Sequence, residues 1–478
     1  MMDTTYILSR REGSGFRHQV NIGNCYFQTN QSCYSDDKQD GREIILFGEY
    51  LDFRQPSQSL ENLVRNLAKQ ETFDKLLSEL QYLVGRYLVI SYTSDEGIRL
   101  IGDATGTIPI YYSIVKNQPM AASSASELGK RLNLPISNIA QKVREQAMEQ
   151  QQPMPYDMTM YDKVKVVIPN HYLDWDKQGS IRYFPSQDLP KRQLSEVVDE
   201  TITIVNRVID QMEEQYDLAL ALTSGLDSRL VLSFFKNREN VALYTYIHES
   251  FTDETPDVYV PQMVSEKYDM PYYKLPRKHL PAEELKKIEA ILPGQVNQRI
   301  LENAYTFKHS ELKNRAFITG DIIPLAKSNF GQNLPEKLAT PQYFVTKSHN
   351  YSVESKQAIK SWVRDAKATS QNNLSLFDLF FWENRWGRWF TNNAVNYDYY
   401  THPLYIFNSR YLIELWLSIP RSVRVKKAIH KQIIDKNWPE LLDIPINPNE
   451  GRLSQLSDNQ WVYYFGSFAK HYINKYRK

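Results

Sequence analysis

The sequence predicts two domains of different class: an antiparallel, strand-rich α+β domain over residues 1–185, and an α/β domain with a parallel sheet over residues 193–478. Three observations predict it. A chain of 478 residues is too long for one hydrophobic core. Its first third reads as strands and turns, whereas beyond a polar stretch at 185–192 strands and helices alternate. From about Leu374 the chain turns helix-dominated and aromatic-rich, which makes a helical extension of the second domain.

In the first domain, Ile44-Ile45-Leu46-Phe47-Gly48 is a short buried run closed by glycine, and residues 85–92 are dense in β-formers before the turn Asp95-Glu96-Gly97. Residues 98–101 and 108–112 continue a meander around Asp103-Ala104-Thr105-Gly106-Thr107. A helix is predicted over 59–69, and a strand pair between 164 and 176 around Pro169-Asn170-His171. In the second domain, helical spacing over 194–212 precedes Leu218-Ala219-Leu220-Ala221-Leu222. Such a continuous apolar run marks a strand buried on both faces. A helix over 226–235, a strand over 241–247, a helix over 258–268 and a strand over 272–275 follow.

Composition excludes several classes. Apolar residues make up 42% and charged residues 24%, as in ordinary soluble proteins. A net charge of +1 gives no footprint for nucleic acid or an anionic membrane, and no apolar run approaches a membrane span. The start lacks a secretory signal, and the two cysteines, Cys25 and Cys33, form no disulfide framework, so the expected location is the cytoplasm. Nine scattered histidines include no His-Glu-x-x-His spacing for zinc.

The most informative segment is Leu222-Thr223-Ser224-Gly225-Leu226-Asp227-Ser228. A buried parallel strand that ends in small residues and enters a helix makes an anion site, because the helix start offers unpaired amides and a positive dipole end. Thr223, Ser224 and Gly225 stand at that junction, and Thr223, Ser224 and Ser228 add hydroxyls. Asp227 repels phosphate but suits Mg²⁺, which bridges carboxylate and phosphate. A plain capped strand-to-helix turn would need the same residue types.

This segment resembles the Ser-Gly-Gly-Leu-Asp-Ser pyrophosphate loop of the asparagine synthetase family, with Thr223 in place of serine and Ser224 in place of the first glycine. The likeness extends along most of the chain. Leu83-Val84-Gly85-Arg86-Tyr87, the stretch from Asp103 through Pro109 to Tyr112, and Val167-Ile168-Pro169-Asn170-His171-Tyr172 resemble its glutaminase-type N-terminal domain. The resemblance implies an antiparallel sandwich in front and, behind it, a parallel sheet of the adenine nucleotide α-hydrolase type. It implies ATP and Mg²⁺ as cofactors and an acyl-adenylate attacked by a nitrogen nucleophile. The terminal cysteine that such a glutaminase needs is replaced by Met1-Met2-Asp3, so the first domain is expected to hydrolyse no glutamine.

The resemblance also distributes roles. Ala316-Phe317-Ile318-Thr319-Gly320-Asp321 matches the family's second phosphate-side loop, with Gly320 beside ATP and Asp321 as a further Mg²⁺ carboxylate, and its continuation Ile322-Ile323-Pro324 is similar to β-lactam synthetases; an aspartate at a β-turn after glycine accounts for Asp321 equally. Glu383, in Glu383-Asn384-Arg385, matches a glutamate that helps deprotonate the amine, though a surface charge is the favoured account of it. Lys427 in Lys426-Lys427-Ala428-Ile429-His430-Lys431 matches the lysine that offsets charge on the adenylation transition state, with Lys426 as its rival. The expected substrates are a small-molecule or peptide carboxylate and ammonia or an amine, and the resemblance allows a homodimer. A β-lactam synthetase-like or peptide-cyclising ligase stays open, as does a nucleotide-binding paralogue without catalysis.

Overall fold

The computed structural model describes residues 5–13, 15–36, 41–149, 152–349, 352–369, 374–448 and 459–476. Met1, Met2 and Asp3 lie outside the described residues. All strands up to Gly179–Arg182 belong to two six-stranded antiparallel sheets, and those from Leu218–Ala221 onward form one five-stranded parallel sheet.

The antiparallel sheets pack face to face. Tyr6, Leu8 and Phe27 of one interdigitate with Phe47, Leu88, Ile90 and Leu100 of the other in a continuous apolar layer. The outer face of the second sheet is covered by the helices Leu60–Ala68 and Phe73–Leu80 through Leu63, Leu67 and Leu76. The outer face of the first sheet is covered by Ala125–Arg131 and Asn138–Glu149 through Leu128, Ala140 and Val143. Ser59 starts the first of these helices by accepting the Asn62 amide at 3.3 Å, a cap worth about 1 kcal/mol.

Two expectations for this domain need correction. Residues 108–112 are not one strand, since only Tyr111–Ser113 pairs in a sheet. Pro109 has no amide to give, and the Asp103 carboxylate draws the Thr105 and Thr107 amides, each at 3.1 Å, into a tight turn. Residues 164–176 do hold two strands, but Val164–Val166 joins one sheet and His171–Asp174 the other. Asn170 makes the passage at a φ of 69°, a left-handed conformation that asparagine tolerates better than most residues.

The parallel sheet runs, edge to edge, Tyr272–Pro276, Val241–Ile247, Leu218–Ala221, Ala316–Ile318, Pro403–Leu404. The chain builds outward from Leu218–Ala221 on one side and returns to its other side with Ala316–Ile318, which pairs Leu220 with Ile318. The long amphipathic helix Leu194–Glu213 packs against this layer through Val197, Val205, Val208 and Ile209.

The domains share one core. Phe53, Val84, Ala104, Ile168 and Phe184 pack in the same apolar cluster as the second domain's helices. Polar ties surround it: Arg86 meets Asp398 at 2.5 and 2.7 Å, and Asn408 donates to the Gly85 carbonyl at 2.7 Å and to Asp103 at 2.8 Å. The π-helical turn Phe381–Phe390 lies on this seam. Its Gly387 touches Pro169 so closely that a Cβ there would sit 2.2 Å from the proline ring.

Candidate functional site

In open α/β sheets, ligands bind outside the carboxyl ends of the strands where strand order reverses. Here that point lies between Leu218–Ala221 and Ala316–Ile318. The segments leaving it are residues 222–225 and 319–321, side by side because their strands are in register. Leu222 is buried and extends the ladder, its amide donating to the Tyr244 carbonyl at 2.9 Å and its carbonyl accepting the Thr245 hydroxyl at 2.6 Å.

The first loop is tight. The Thr223 and Ser228 hydroxyls stand 3.0 Å apart, the Thr223 amide donates to Ser228 Oγ at 3.2 Å, and the Gly225 amide donates to Thr223 Oγ1 at 3.2 Å. Ser224 gives its amide (2.9 Å) and hydroxyl (2.7 Å) to Asp257, from the first turn of the helix Pro256–Tyr268. Gly225 is the N-cap of Leu226–Ser233 and offers no side-chain oxygen to that helix's first turn. Arg229, fully buried, anchors the same helix by donating to the carbonyls of Leu441 (3.1 Å), Ile444 (2.5 Å) and Pro445 (2.9 Å).

Gly320 brings the second loop against the first. A Cβ on it would stand 3.0 Å from the Asp227 carbonyl carbon and from the Ser228 nitrogen, so a larger residue would push the two backbones apart. The two aspartates are thereby coupled. Burial pushes the Asp321 carboxyl up to about 6; the Thr319 hydroxyl, which donates to it, opposes this, and the nearby Asp227 charge reinforces it.

Asp227 goes the other way. Burial raises it, but the hydrogen bond from His430 Nε2 at 2.9 Å and the Lys327 ammonium, 2.7 Å from both oxygens, outweigh burial and hold it at about 2. Burial keeps the His430 imidazole below its usual range, against the pull of Asp227, with Lys327 and Lys427 adding to the effect. Lys427 itself is exposed, at a φ of 60° on the N-cap of the helix Ala428–Asn437, one turn before His430.

The structure moves Glu383 out of the role expected for it. It is neither a surface charge nor a free base: it is fully buried and meets Arg182 at 2.5 and 2.8 Å, Asn170 Nδ2 at 2.8 Å and Trp362 Nε1 at 2.7 Å. With both oxygens saturated it ties the two domains together, and removing one partner of such a pair costs about 3–5 kcal/mol. From the same turn it is Arg385 whose charge reaches Asp321. Burial lowers its guanidinium to about 10, the Asp321 charge pulls it back up, and the cation lies 3.7 Å over the Trp389 ring.

Sequence reading missed Lys327, His430, Asp257 and Arg385. His430 and Arg385 lay inside segments already singled out, and one helical turn from Lys427 to His430 was a usable signal. Lys327 and Asp257 carried none, because only chain packing brings them to Asp227 and Ser224.

An Mg²⁺ ion takes one or two protein carboxylates and completes its shell from phosphate and water. Asp227 and Asp321 fit that demand. Among the described residues no group of three or more His, Cys, Asp or Glu would hold a metal unaided.

No family model matches the chain, and no curated protein matches it. Among solved structures it is similar to an NMN synthetase from Francisella tularensis, at 14% identity over 41% of this chain and 94% of that one, with a TM-score of 0.23. It is also similar to a glutamine phosphoribosylpyrophosphate amidotransferase from B. subtilis complexed with ADP and GMP, at 10% identity over 60% of this chain and 64% of that one, with a TM-score of 0.24. Likeness at these values bears on no residue of the site.

Proposed function

We propose that this protein is an ATP-dependent, amide-forming enzyme that activates a carboxylate as an acyl-adenylate, releases pyrophosphate, and passes the acyl group to ammonia or an amine. One observation carries the reading. A tight loop of small hydroxyl residues enters a helix with no side-chain cap at the switch point of a parallel sheet, and two coupled aspartates stand beside it.

In this reading residues 223–228 cradle the phosphates with backbone amides and the hydroxyls of Thr223, Ser224 and Ser228. Mg²⁺, held by Asp227 and by ionised Asp321, neutralises phosphate charge when bound. Lys327 is the resting counter-ion of Asp227, and an arriving phosphate offers its ammonium a second acceptor. His430 keeps Asp227 oriented through Nε2. Lys427, exposed one turn away, places a cation where charge builds during adenylation. Nitrogen comes from outside the chain or from the substrate, since burial pushes the Cys25 and Cys33 thiols up to about 11, far from a thiolate nucleophile at neutral pH.

A second reading, nucleotide binding without turnover, draws on Asp257. Its carboxylate already accepts the Ser224 amide and hydroxyl, so a phosphate there must displace a charged acceptor. Exchange of labelled pyrophosphate into ATP, run with a panel of carboxylic acids and Mg²⁺, separates the two. Exchange promoted by an acid and lost in Asp227→Ala and Lys427→Ala supports the ligase. Saturable ATP binding with no exchange supports the second reading, and absence of ATP binding sinks both.

A further inference from the structure

Away from the crevice, a cavity of about 430 Å³ lies between the domains. Tyr111, Arg144 and Met160 of the first domain and Arg299, Asn303 and Arg388 of the second stand in its wall. Among the described residues three arginines line it, and no aspartate or glutamate does.

Three buried arginines elsewhere meet carboxylates, Arg42 with Glu96 at 2.7 Å, Arg86 with Asp398 at 2.5 Å and Arg424 with Asp378 at 2.5 Å, while Arg229 is held by three carbonyls. Arg144 departs from that pattern. It is 9% exposed, gives one nitrogen to the Val296 carbonyl at 3.3 Å, and its buried Nε has no partner. Arg388 donates to the carbonyls of Met154 at 3.3 Å and Met158 at 2.7 Å and also interacts with the Tyr111 hydroxyl.

The two cations are close enough to oppose each other. Burial and then the Arg388 charge bring Arg144 down to about 10, and burial lowers Arg388, with Tyr111 and Asp157 offsetting part of it. Asp157, a carboxylate that acts on Arg388, is outside the wall and pairs with Lys165 at 3.5 Å. Asn303 adds a buried side-chain oxygen without a partner, and Arg299 brings a third cation. Uncompensated buried charge is costly, and a planar guanidinium fork matches a carboxylate. Met154, Met158, Met160 and Trp389 form an apolar strip of a wall that also holds Gln295, Asn297 and Asn393.

We propose that this cavity binds a small organic acid, its carboxylate between Arg144 and Arg388 and its apolar body along the methionines and Trp389. The assignment is independent of the ATP reading.

Thermal-shift and calorimetric titrations of the full chain test it, with acetate, hexanoate, phenylacetate, succinate and glutamate as probes. Hexanamide, phenylacetamide, phosphate and sulfate are the controls. We expect saturable binding of at least one carboxylate, at least tenfold tighter than its amide or the inorganic anions. Arg144→Gln should weaken that binding at least tenfold while leaving the ligand-free melting temperature unchanged or higher, because it removes an unpaired buried charge. A merely structural arginine would lower it. Asn303→Asp, which builds a carboxylate into the cavity, should raise the melting temperature and block the probe. No saturable carboxylate binding, equal binding of the inorganic anions, or undiminished binding by Arg144→Gln overturns the assignment.

Discussion

The two loops that face each other at the switch point hold the same acidic residue in opposite states. Asp227, on the first, is compensated by Lys327 and His430 and lies at about 2. Asp321, on the second, meets a hydroxyl and a like charge and lies at about 6. Burial alone would treat them alike; their partners separate them. The first carboxylate is ionised at every physiological pH, while the second takes up a proton as pH falls through about 6. Nucleotide and metal binding should therefore depend on both carboxylates but titrate with only one.

The largest expected effect breaks the compensated loop. Asp227→Asn removes the partner of Lys327 and the metal carboxylate together, and should weaken Mg-dependent ATP binding by roughly a hundredfold or more, about 3 kcal/mol, in calorimetric titrations. If affinity falls less than tenfold, this loop is not the nucleotide site.

Asp321→Asn sharpens the comparison through stability. A carboxyl whose folded value is raised destabilises the native state above its unfolded value near 3.9. The penalty grows as pH rises from about 4 to about 6 and is then constant. The variant should gain about 2 kcal/mol in denaturant melts at pH 7–8 and nothing at pH 3.5. In the same window the unsubstituted protein should lose Mg-dependent ATP affinity as pH falls through about 6, whereas Asp321→Asn shows no such pH dependence.

Gly320→Ala tests the contact that couples the loops. Its methyl group meets backbone 3.0 Å away and should cost about 1–3 kcal/mol of stability, with a matching loss of ATP affinity. An unchanged melting temperature would show that the loops are free to part. Smallest is Ser224→Gly, which keeps the loop small and removes the hydroxyl bound to Asp257. We expect ATP affinity to change less than fivefold, upward if Asp257 competes with phosphate.

Much of the first loop was legible because its demands are local. An apolar run followed by small residues and an aspartate dictates strand, turn and helix within about ten positions. The strand predicted over 241–247 coincides with Val241–Ile247, and that predicted over 272–275 extends only to Pro276. Glu383 was misread because its surroundings come from elsewhere. Arg182, Asn170 and Trp362 lie 201, 213 and 21 residues away, and no helical spacing announces them. The strands at 164–174 were found but wrongly paired, since sheet membership depends on which edge is open rather than on turn residues.

By itself the sequence determined the strand class of each half and the position of the strand, turn and helix at 218–233, all set by patterns within a few turns of chain. Tertiary structure alone decided which charges are compensated. It brought Lys327 and His430 onto Asp227, left burial of Asp321 to outweigh the pull of Arg385, saturated Glu383 at the domain seam, and set Arg144 and Arg388 across a cavity with no carboxylate in its wall among the described residues. The reason is physical: a side chain's charge state follows from what lies within a few ångströms, and in a fold of this topology those neighbours come from far along the chain.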